Sequence, residues 1–388
     1  MEINGLGVAR CLGRAGVWVV GVAAAPLPHT TRTRCARRIT TCEDINGPGL
    51  IKLLLKLAEG AETRRALFVT SDLHVRTVAA HRETLKPHYA ITLPPTDVVN
   101  ALLNKPDFLE VAKREGFAAP AWAAAASDNE LGGAAEQTGF PCIVRPAAKA
   151  LGFLGTFHQK AFLCKGPRDL ETIAAADYNY DVPLFVQQWV PGGDDDVCFV
   201  LHYFNAESEP LVSFCGKKIR QAPPGTGHTV SAQPADIPEA VTLSERFFRA
   251  VNFVGLCSME FKRDARDGRF LMIEPTVGRT DWQSAVASIN GVPIPYIAYR
   301  DIAGLPPISY TRRHPLTWVE FEGDIRSALY YRRRGQLSLA SWLRSIWPWR
   351  PAVASLSDPL PGLLFGWELC VRAVKKGLRL LGLAKRKP

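Results

Sequence analysis

Two glutamates lie in neighbouring apolar stretches that we predict to form one β-hairpin. Cys257–Lys262 and Arg269–Glu274 have strand-like patterns, and Asp267-Gly268 between them is a strong turn signal. Antiparallel pairing brings Glu260 and Glu274 to the same end of the sheet. Two half-buried carboxylates repel each other unless a cation lies between them, and magnesium is typically bound by one or two carboxylates together with substrate phosphates. The alternative is an ordinary hairpin whose glutamates face solvent.

The composition is that of a globular protein in a reducing compartment. The chain has 388 residues, of which 47% are hydrophobic, so it holds either one multi-lobed protein or a few small domains. Its nine cysteines show no CxxC spacing, which disfavours a disulfide framework or a zinc site. No signal peptide and no apolar run of about 18 residues is found, so we expect a cytoplasmic protein without a membrane span.

The positive charge is confined to one end of the sequence. The formal net charge is +10, and residues 311–388 alone hold 15 Lys+Arg against 5 Asp+Glu, so the preceding part is neutral. A nucleic-acid-binding enzyme would more often carry basic charge on its core as well. We therefore do not expect nucleic acid as a partner.

The first 95 residues have the alternation of an incomplete doubly wound α/β lobe. Residues 4–16 contain glycines that open a predicted helix, and further elements are predicted at 17–22 (strand), 50–59 (helix), 66–70 (strand), 72–86 (helix) and 89–93 (strand). A dinucleotide site needs a strand ahead of the glycines and an acidic residue after the second strand. Both are absent, so NAD binding is not expected. The missing first strand predicts a shortened start or a strand supplied otherwise.

The hairpin and the residues after it resemble the metal-binding hairpin of the ATP-grasp superfamily. The family pattern is Glu-x-Asn followed closely by Arg, whereas this sequence has Thr276 at the third position and Arg279 three residues later. The resemblance implies ATP with Mg²⁺ as the cofactor, Mn²⁺ being the alternative ion. It also implies Glu260, Glu274 and Thr276 as the metal ligands.

The same resemblance implies a set of nucleotide-binding residues. Lys105 and Arg145 match the phosphate-binding positions, with Asn104 in place of an aspartate and Arg145 in place of a lysine. Residues 147–156 would form a lid over the phosphates, and Lys160 would face the nucleotide or lie on the surface. The adenine and ribose would be held by the segment after the next strand, through Gln187, Gln188, Trp189, Val190 and Asp194, with Asp195 and Asp196 as alternatives to Asp194.

A basic strand near residue 218 would face the transferred phosphate in the resembling enzymes. Lys218 and Arg220 share one face of a strand because side chains alternate with a period of two. With Arg279 they are the predicted catalytic residues, which stabilise an acyl phosphate and its tetrahedral adduct. Asp281 and Gln283 are candidates for binding a substrate carboxylate or amine.

The resemblance covers about residues 1–305 and implies an α/β (α+β) ATP-grasp fold. We expect a Rossmann-like lobe at 1–95, a small lobe at 96–190, a large lobe with the metal hairpin at 191–305 and a basic helical tail at 306–388. The implied activity is that of a carboxylate–amine ligase of the D-aspartate-ligase-like branch, with small-molecule carboxylate and amine substrates. A non-catalytic nucleotide-binding module is the alternative. The substrates and the oligomeric state do not follow from the sequence.

The tail contains a predicted amphipathic basic helix. Its apolar positions recur every three to four residues, and its basic positions lie off that stripe: Leu364, Trp367, Val371, Val374, Leu378 and Leu381 against Arg372, Lys375, Lys376 and Arg379. Such helices lie on anionic membrane surfaces, so we expect peripheral binding to the inner face of a membrane. For a ligase at that face, the resemblance to the D-aspartate-ligase-like branch implies a role in cell-envelope or exopolysaccharide synthesis. The alternative is docking on the protein's own body.

Overall fold

The computed structural model describes residues 2–147, 161–176, 178–312 and 315–380. Within these residues the chain is a mixed α/β protein with two two-stranded sheets, one four-stranded sheet and one seven-stranded sheet. This architecture confirms the predicted fold class. No helix in the described part of the chain is long and apolar enough to cross a bilayer.

The amino-terminal lobe alternates short strands and helices. Its elements are α1 (Ile3–Arg14), β1 (Val20–Ala23), β2 (Arg38–Thr41), α2 (Pro48–Ala58), β3 (Arg65–Ala66), α3 (Asp72–Ala80), α4 (Arg82–Leu85), β4 (Tyr89–Ala90), α5 (Thr96–Leu103) and α6 (Lys105–Arg114). β1 pairs with β2 in parallel, and β3 pairs with β4 in parallel. The predicted strands at 66–70 and 89–93 are therefore shorter than expected, and the two pairs form separate sheets.

The small lobe is an antiparallel sheet with helices packed against it. Its elements are β5 (Trp122–Ala125), α7 (Asp128–Thr138), β6 (Cys142–Pro146), β7 (Phe162–Cys164), α8 (Pro167–Ala174) and β8 (Leu184–Gln188), in the strand order β5-β8-β6-β7. Leu131 and Ala135 of α7 pack with Val144 and Val186 of the sheet in one buried cluster. Because β8 lies between β5 and β6, its residue Gln187 is paired with a strand on both sides.

The large lobe is built on a seven-stranded sheet. Its elements are β9 (Val197–Phe204), β10 (Pro210–Ala222), β11 (His228–Pro234), α9 (Pro238–Ala250), β12 (Gly255–Arg263), β13 (Phe270–Val277), α10 (Gln283–Ile289) and α11 (Ile294–Ile302). Every residue of β9 is buried, so both faces of the sheet are covered at its centre. Phe204 packs there against Phe248 and Phe253, with ring centroids 5.9 and 6.4 Å away.

The residues after 305 are part of the body of the protein. They form β14 (Thr317–Val319), α12 (Phe321–Arg333), α13 (Leu339–Ile346), β15 (Trp349–Pro351) and α14 (Leu360–Leu380). β14 and β15 complete the large sheet, whose order is β13-β12-β9-β10-β11-β14-β15. This differs from the expectation of a tail outside the nucleotide fold. β14 pairs with Ser231 and Ala232 of β11, and this tertiary pairing makes the segment part of the large sheet.

Helix α14 docks on the amino-terminal lobe along one side. The His29 ring lies 5.0 Å from that of Phe365, and its Nδ1 is 3.0 Å from Glu368 Oε2. Ahead of the helix, buried Asp358 pairs with Arg10 at 2.8 Å. Docking on the body, the alternative for this helix, is therefore present in the structure.

Candidate active site

The hairpin β12–β13 places Glu260 directly opposite Glu274. The two residues are cross-strand partners in the antiparallel register, and the turn between the strands has Gly268 at φ +78°. That left-handed conformation favours glycine. The structure thus confirms the predicted hairpin and brings both carboxylates to the same place.

Glu260 is held by two protein donors. Its carboxylate lies 2.8 Å from Lys218 Nζ, and Gln283 Nε2 donates to its Oε1 at 2.6 Å. Lys218 is buried and donates a further bond to Gln221 Oε1 at 3.2 Å. Lys218 therefore fixes the orientation of the first glutamate of the pair.

Glu274 lies open to the cleft in a strongly positive environment. Desolvation opposes its ionisation, but the charges of Lys105, Arg145, Lys218 and Arg279 outweigh it and hold the pKa of the carboxyl below its usual range. The side chain itself is exposed to solvent. An ionised, accessible carboxylate among cations is a suitable ligand for a metal ion.

Lys105 of α6 and Arg145 of β6 both lie near Glu274. Lys105 is the first residue of α6, whose amino end is capped by Asn104 Oδ1, which accepts from Asp107 N at 3.3 Å. Burial, with Arg145 as the second cause, lowers the pKa of Lys105 to about 7, while Glu274 and Glu260 oppose the shift. The Arg145 guanidinium lies 5.6 Å from the centroid of the Phe185 ring. Both residues thus lie close enough to Glu274 to lower the pKa of its carboxyl.

Arg279 and Asp281 complete the cluster from the segment after β13. Arg279 Nε is 2.5 Å from Asp72 Oδ1, and its Nη1 donates to Thr280 O at 3.0 Å. Thr276 Oγ1 donates to Asp281 Oδ2 at 3.3 Å. Burial raises the pKa of Asp281, with Glu260 adding to the shift and Arg279 opposing it. The sequence pattern did not point to Asp72, whose visible role is the first turn of α3 after the Ser71 cap.

Gln187 lies at the predicted adenine position with an unused donor. Its side chain is buried, and its Nε2 has no hydrogen-bond partner among the described residues. The backbone amides that follow are already used, because Gln188 N donates to Ala121 O at 2.8 Å and Trp189 N donates to Pro141 O at 3.0 Å. Val190 is buried next to them. The Gln187 amide therefore has a free donor for a ligand.

Arg220 does not reach the cluster. Its guanidinium binds Asp324 at 2.7 and 3.2 Å and Ser345 Oγ at 2.8 Å. The reason is local, since the ladder between β10 and β11 shifts register on either side of Arg220, and such bulges break the alternation of side chains. The expectation that Lys218 and Arg220 act together is therefore not met.

Asp194 is also turned into the protein rather than towards the cleft. It accepts hydrogen bonds from the amides of Gln221 at 3.0 Å and Gly225 at 2.9 Å, and from Tyr331 Oη at 2.8 Å. The side-chain amide of Gln221 donates to it as well, at 3.1 Å. Its oxygens are therefore occupied by protein donors, so a ribose contact would require rearrangement. Lys160 and most of the predicted lid, residues 148–156, lie outside the described residues.

The arrangement was compared with known proteins. No protein-family model matches the sequence, and no curated protein matches it. Solved structures do match. N5-carboxyaminoimidazole synthetase from Staphylococcus aureus, complexed with ADP, superposes with a TM-score of 0.65 at 13% identity, covering 86% of this chain and 84% of that one.

Two further solved structures are similar over most of the chain. Biotin carboxylase from Campylobacter jejuni, in a complex with an ATP analogue, has a TM-score of 0.62 at 14% identity, with 81% of this chain and 72% of that chain covered. Phosphoribosylglycinamide synthetase from Anaerococcus prevotii has a TM-score of 0.57 at 14% identity, covering 81% and 77%. These likenesses show that the chain has the ATP-grasp fold.

Proposed function

We propose that the protein is an ATP- and Mg²⁺-dependent ligase that joins a carboxylate to an amine. The observation that carries the proposal is the cross-strand pair Glu260 and Glu274 set among Lys105, Arg145 and Lys218. Such a group of fixed charges suits a phosphoryl transfer, in which positioning and charge stabilisation supply most of the catalysis. The three similar solved structures are a synthetase, a carboxylase and a second synthetase, two of them in complexes with adenine nucleotides or an analogue, which supports the same class of reaction.

The donor set fits a magnesium ion that shares its coordination with phosphates. Glu260 and Glu274 would hold the ion, and it would neutralise the charge that develops on the phosphoryl oxygens. No group of three or more His, Cys, Asp or Glu side chains suited to a metal is found in the described residues. This donor set supports a Mg²⁺ ion bound by two carboxylates, with phosphate oxygens and water as its remaining ligands.

The remaining residues bind and orient. Lys105 and Arg145 would contact the phosphates, where Arg145 offers a planar fork of donors and Lys105 a single ammonium. The unpaired Nε2 of Gln187 would donate to a ring nitrogen of adenine, which removes the cost of a buried donor without a partner. Lys218 keeps Glu260 in place, and Thr276 bonds Asp281.

In the reaction that we propose, the terminal phosphoryl group of ATP passes to an oxygen of the substrate carboxylate. This gives ADP and an acyl phosphate. The amine nitrogen then attacks the carbonyl carbon, the bond to the phosphate breaks, and the amine loses a proton to solvent or to a nearby base. Arg279 would stabilise the negative charge on the acyl phosphate. Gln283 Oε1, which is buried without a partner in the described residues, would accept a hydrogen bond from a bound substrate.

The test is Mg²⁺-dependent ADP release by the purified protein, with amino acids and acidic sugars supplied in pairs. ADP that appears only with one carboxylate and one amine together establishes the ligase and names its substrates. ADP release that is equal with and without any acceptor refutes it. The control is Glu207→Gln, which changes an exposed acid in the turn between β9 and β10.

A non-catalytic nucleotide-binding module is the second candidate. It is favoured by the residues that depart from the family pattern and by the commitment of Arg220 and Asp194 to protein partners. This candidate predicts ATP binding with no ADP release for any acceptor. Calorimetric titration of ATP alongside the turnover assay separates the two candidates.

We also propose that the protein is cytoplasmic and binds peripherally to an anionic membrane, with a role in cell-envelope or exopolysaccharide synthesis as in the D-aspartate-ligase-like branch. Leu363, Trp367 and Val374 of α14 are exposed at 61–68% along one side of the helix, although its other side docks on the body. Sedimentation with vesicles that contain anionic lipid tests this. Equal binding of Trp367→Ala and the unchanged protein to anionic and neutral vesicles would contradict it.

A further inference from the structure

The two short parallel sheets of the amino-terminal lobe line one common cleft. A cleft of about 2250 Å³ is bordered by Val20, Gly21 and Val22 of β1 and also by Arg65 to Thr70, which include β3. In the described residues, β1 pairs with β2 and β3 pairs with β4, and no strand joins the two pairs. Parallel strands of an α/β lobe normally form one continuous sheet covered by helices. The lobe therefore has a gap between β1 and β3, where the centre of a continuous sheet would lie.

Residues 67–70 have the sequence of a strand but form only the start of one. Leu67, Phe68 and Val69 are good strand formers, yet the strand ends at Ala66. Leu67 N still donates to Ala90 O at 3.2 Å on the side of β4. The other edge of the segment borders the cleft. A strand that lacks a ladder partner on one edge is shorter and less regular, which explains why the predicted strand at 66–70 is truncated.

The apolar side chains around the cleft are only half-buried. Residues 17–22 are a nearly continuous apolar run, which is typical of a strand buried on both faces. Val17, Val19, Val20 and Val22 nevertheless remain partly accessible, and all of them line the cleft. Exposed edges and apolar side chains of this kind mark a surface that binds another chain.

The position of the amino end of α1 indicates the direction in which a strand would run in the gap between β1 and β3. Glu2 and Gly5 line the same cleft, and α1 begins at Ile3. In a right-handed β–α unit, the carboxyl end of a strand lies next to the amino end of the helix that follows it. A strand in the gap would therefore run parallel to β1 and β3 and end beside Glu2.

We propose that this gap is a strand-acceptor site, which binds one extended, uncharged, β-branched peptide segment between β1 and β3. The segment would exchange backbone hydrogen bonds with both edges and cover the valines of β1, as in other cases of strand addition. At about 3.3 Å per residue, roughly five residues would run along the whole of β1 and along most of residues 65–70. The proposal does not depend on the ligase activity.

The test tethers the peptide to the full-length protein, because a short tether raises its effective concentration to the millimolar range. One variant carries five β-branched residues joined to the amino end by two glycines. The matched controls carry the same length of glycine and serine, or the same strand with a central proline. We expect the strand variant alone to gain roughly 3 °C or more in Tm. Amide exchange at residues 17–23 and 65–70 should slow roughly ten-fold.

Two results would overturn the proposal. One is equal Tm and equal exchange for the strand variant and its controls. The other is a higher Tm with no added protection at 17–23 and 65–70, or with protection that appears only as the protein dimerises in size-exclusion chromatography. Protection at both segments in the monomer, abolished by the central proline, supports the site.

Discussion

Glu274→Gln tests the proposed site most directly. The substitution keeps the shape of the side chain and removes its charge, at a position exposed to the cleft and surrounded by cations. In the described residues Glu274 has no direct ion pair within 4 Å, so the unbound protein should lose at most about 1 kcal/mol of stability. The effect on catalysis should be much larger than the effect on folding.

The magnitude follows from the exposure of the carboxylate. For a site near solvent, an effective dielectric constant of about 20 gives about 4 kcal/mol for two unit charges 4 Å apart. Since each 1.36 kcal/mol is about ten-fold in rate, we expect Mg²⁺-dependent ADP release to fall by about 10³-fold. A higher Mg²⁺ concentration should restore part of the loss, because the remaining glutamate still binds the ion.

The assay follows coupled ADP release over a Mg²⁺ titration, and thermal unfolding is measured with and without MgATP. Glu274→Gln should unfold within a few degrees of the unchanged protein but lose the stabilisation by MgATP. Glu207→Gln should match the unchanged protein in both measurements. Activity of Glu274→Gln above a tenth of the unchanged level, with the same Mg²⁺ dependence, would refute the assignment of the hairpin as the metal site.

Three further predictions concern other parts of the site. Burial lowers the pKa of Lys105 to about 7, so above that pH the protein must take up a proton to bind phosphate with a charged lysine. ATP affinity should therefore fall as pH rises through 7 to about 8.5. In calorimetric titrations, Lys105→Met should flatten this pH profile. Gln187→Leu removes a buried donor without a partner. The free energy of unfolding of the unbound protein, measured by chemical denaturation, should therefore rise by up to about 1 kcal/mol, while ATP binds roughly ten-fold more weakly. Unchanged ATP affinity would mean that adenine does not bind at Gln187. Asp324→Asn leaves Arg220 buried without its anion, which should lower the free energy of unfolding by roughly 3–5 kcal/mol. The Mg²⁺ dependence of ADP release, measured well below Tm, should not change. A shifted Mg²⁺ dependence would indicate that Arg220 acts in the active site.

Local patterns were sufficient to predict the elements that carry the glutamate pair and Lys105. A turn dipeptide and a period of two predict the β12–β13 hairpin, and pairing geometry then places Glu260 opposite Glu274. Similarly, a capping asparagine followed by proline predicts the helix that starts at Lys105. In each case the information lies within a few residues of the site, so it can be read from the chain alone.

The partners of Arg220 and Asp194 were decided by tertiary structure. Asp324 lies 104 residues after Arg220, and Tyr331 lies 137 residues after Asp194, and both belong to the segment that was expected to stand apart. A register shift in one ladder directs Arg220 away from Lys218, and no periodicity in the sequence reveals a bulge. The open sheet of the amino-terminal lobe is also a tertiary fact, since a strand forms along its length only where a neighbouring chain satisfies its backbone.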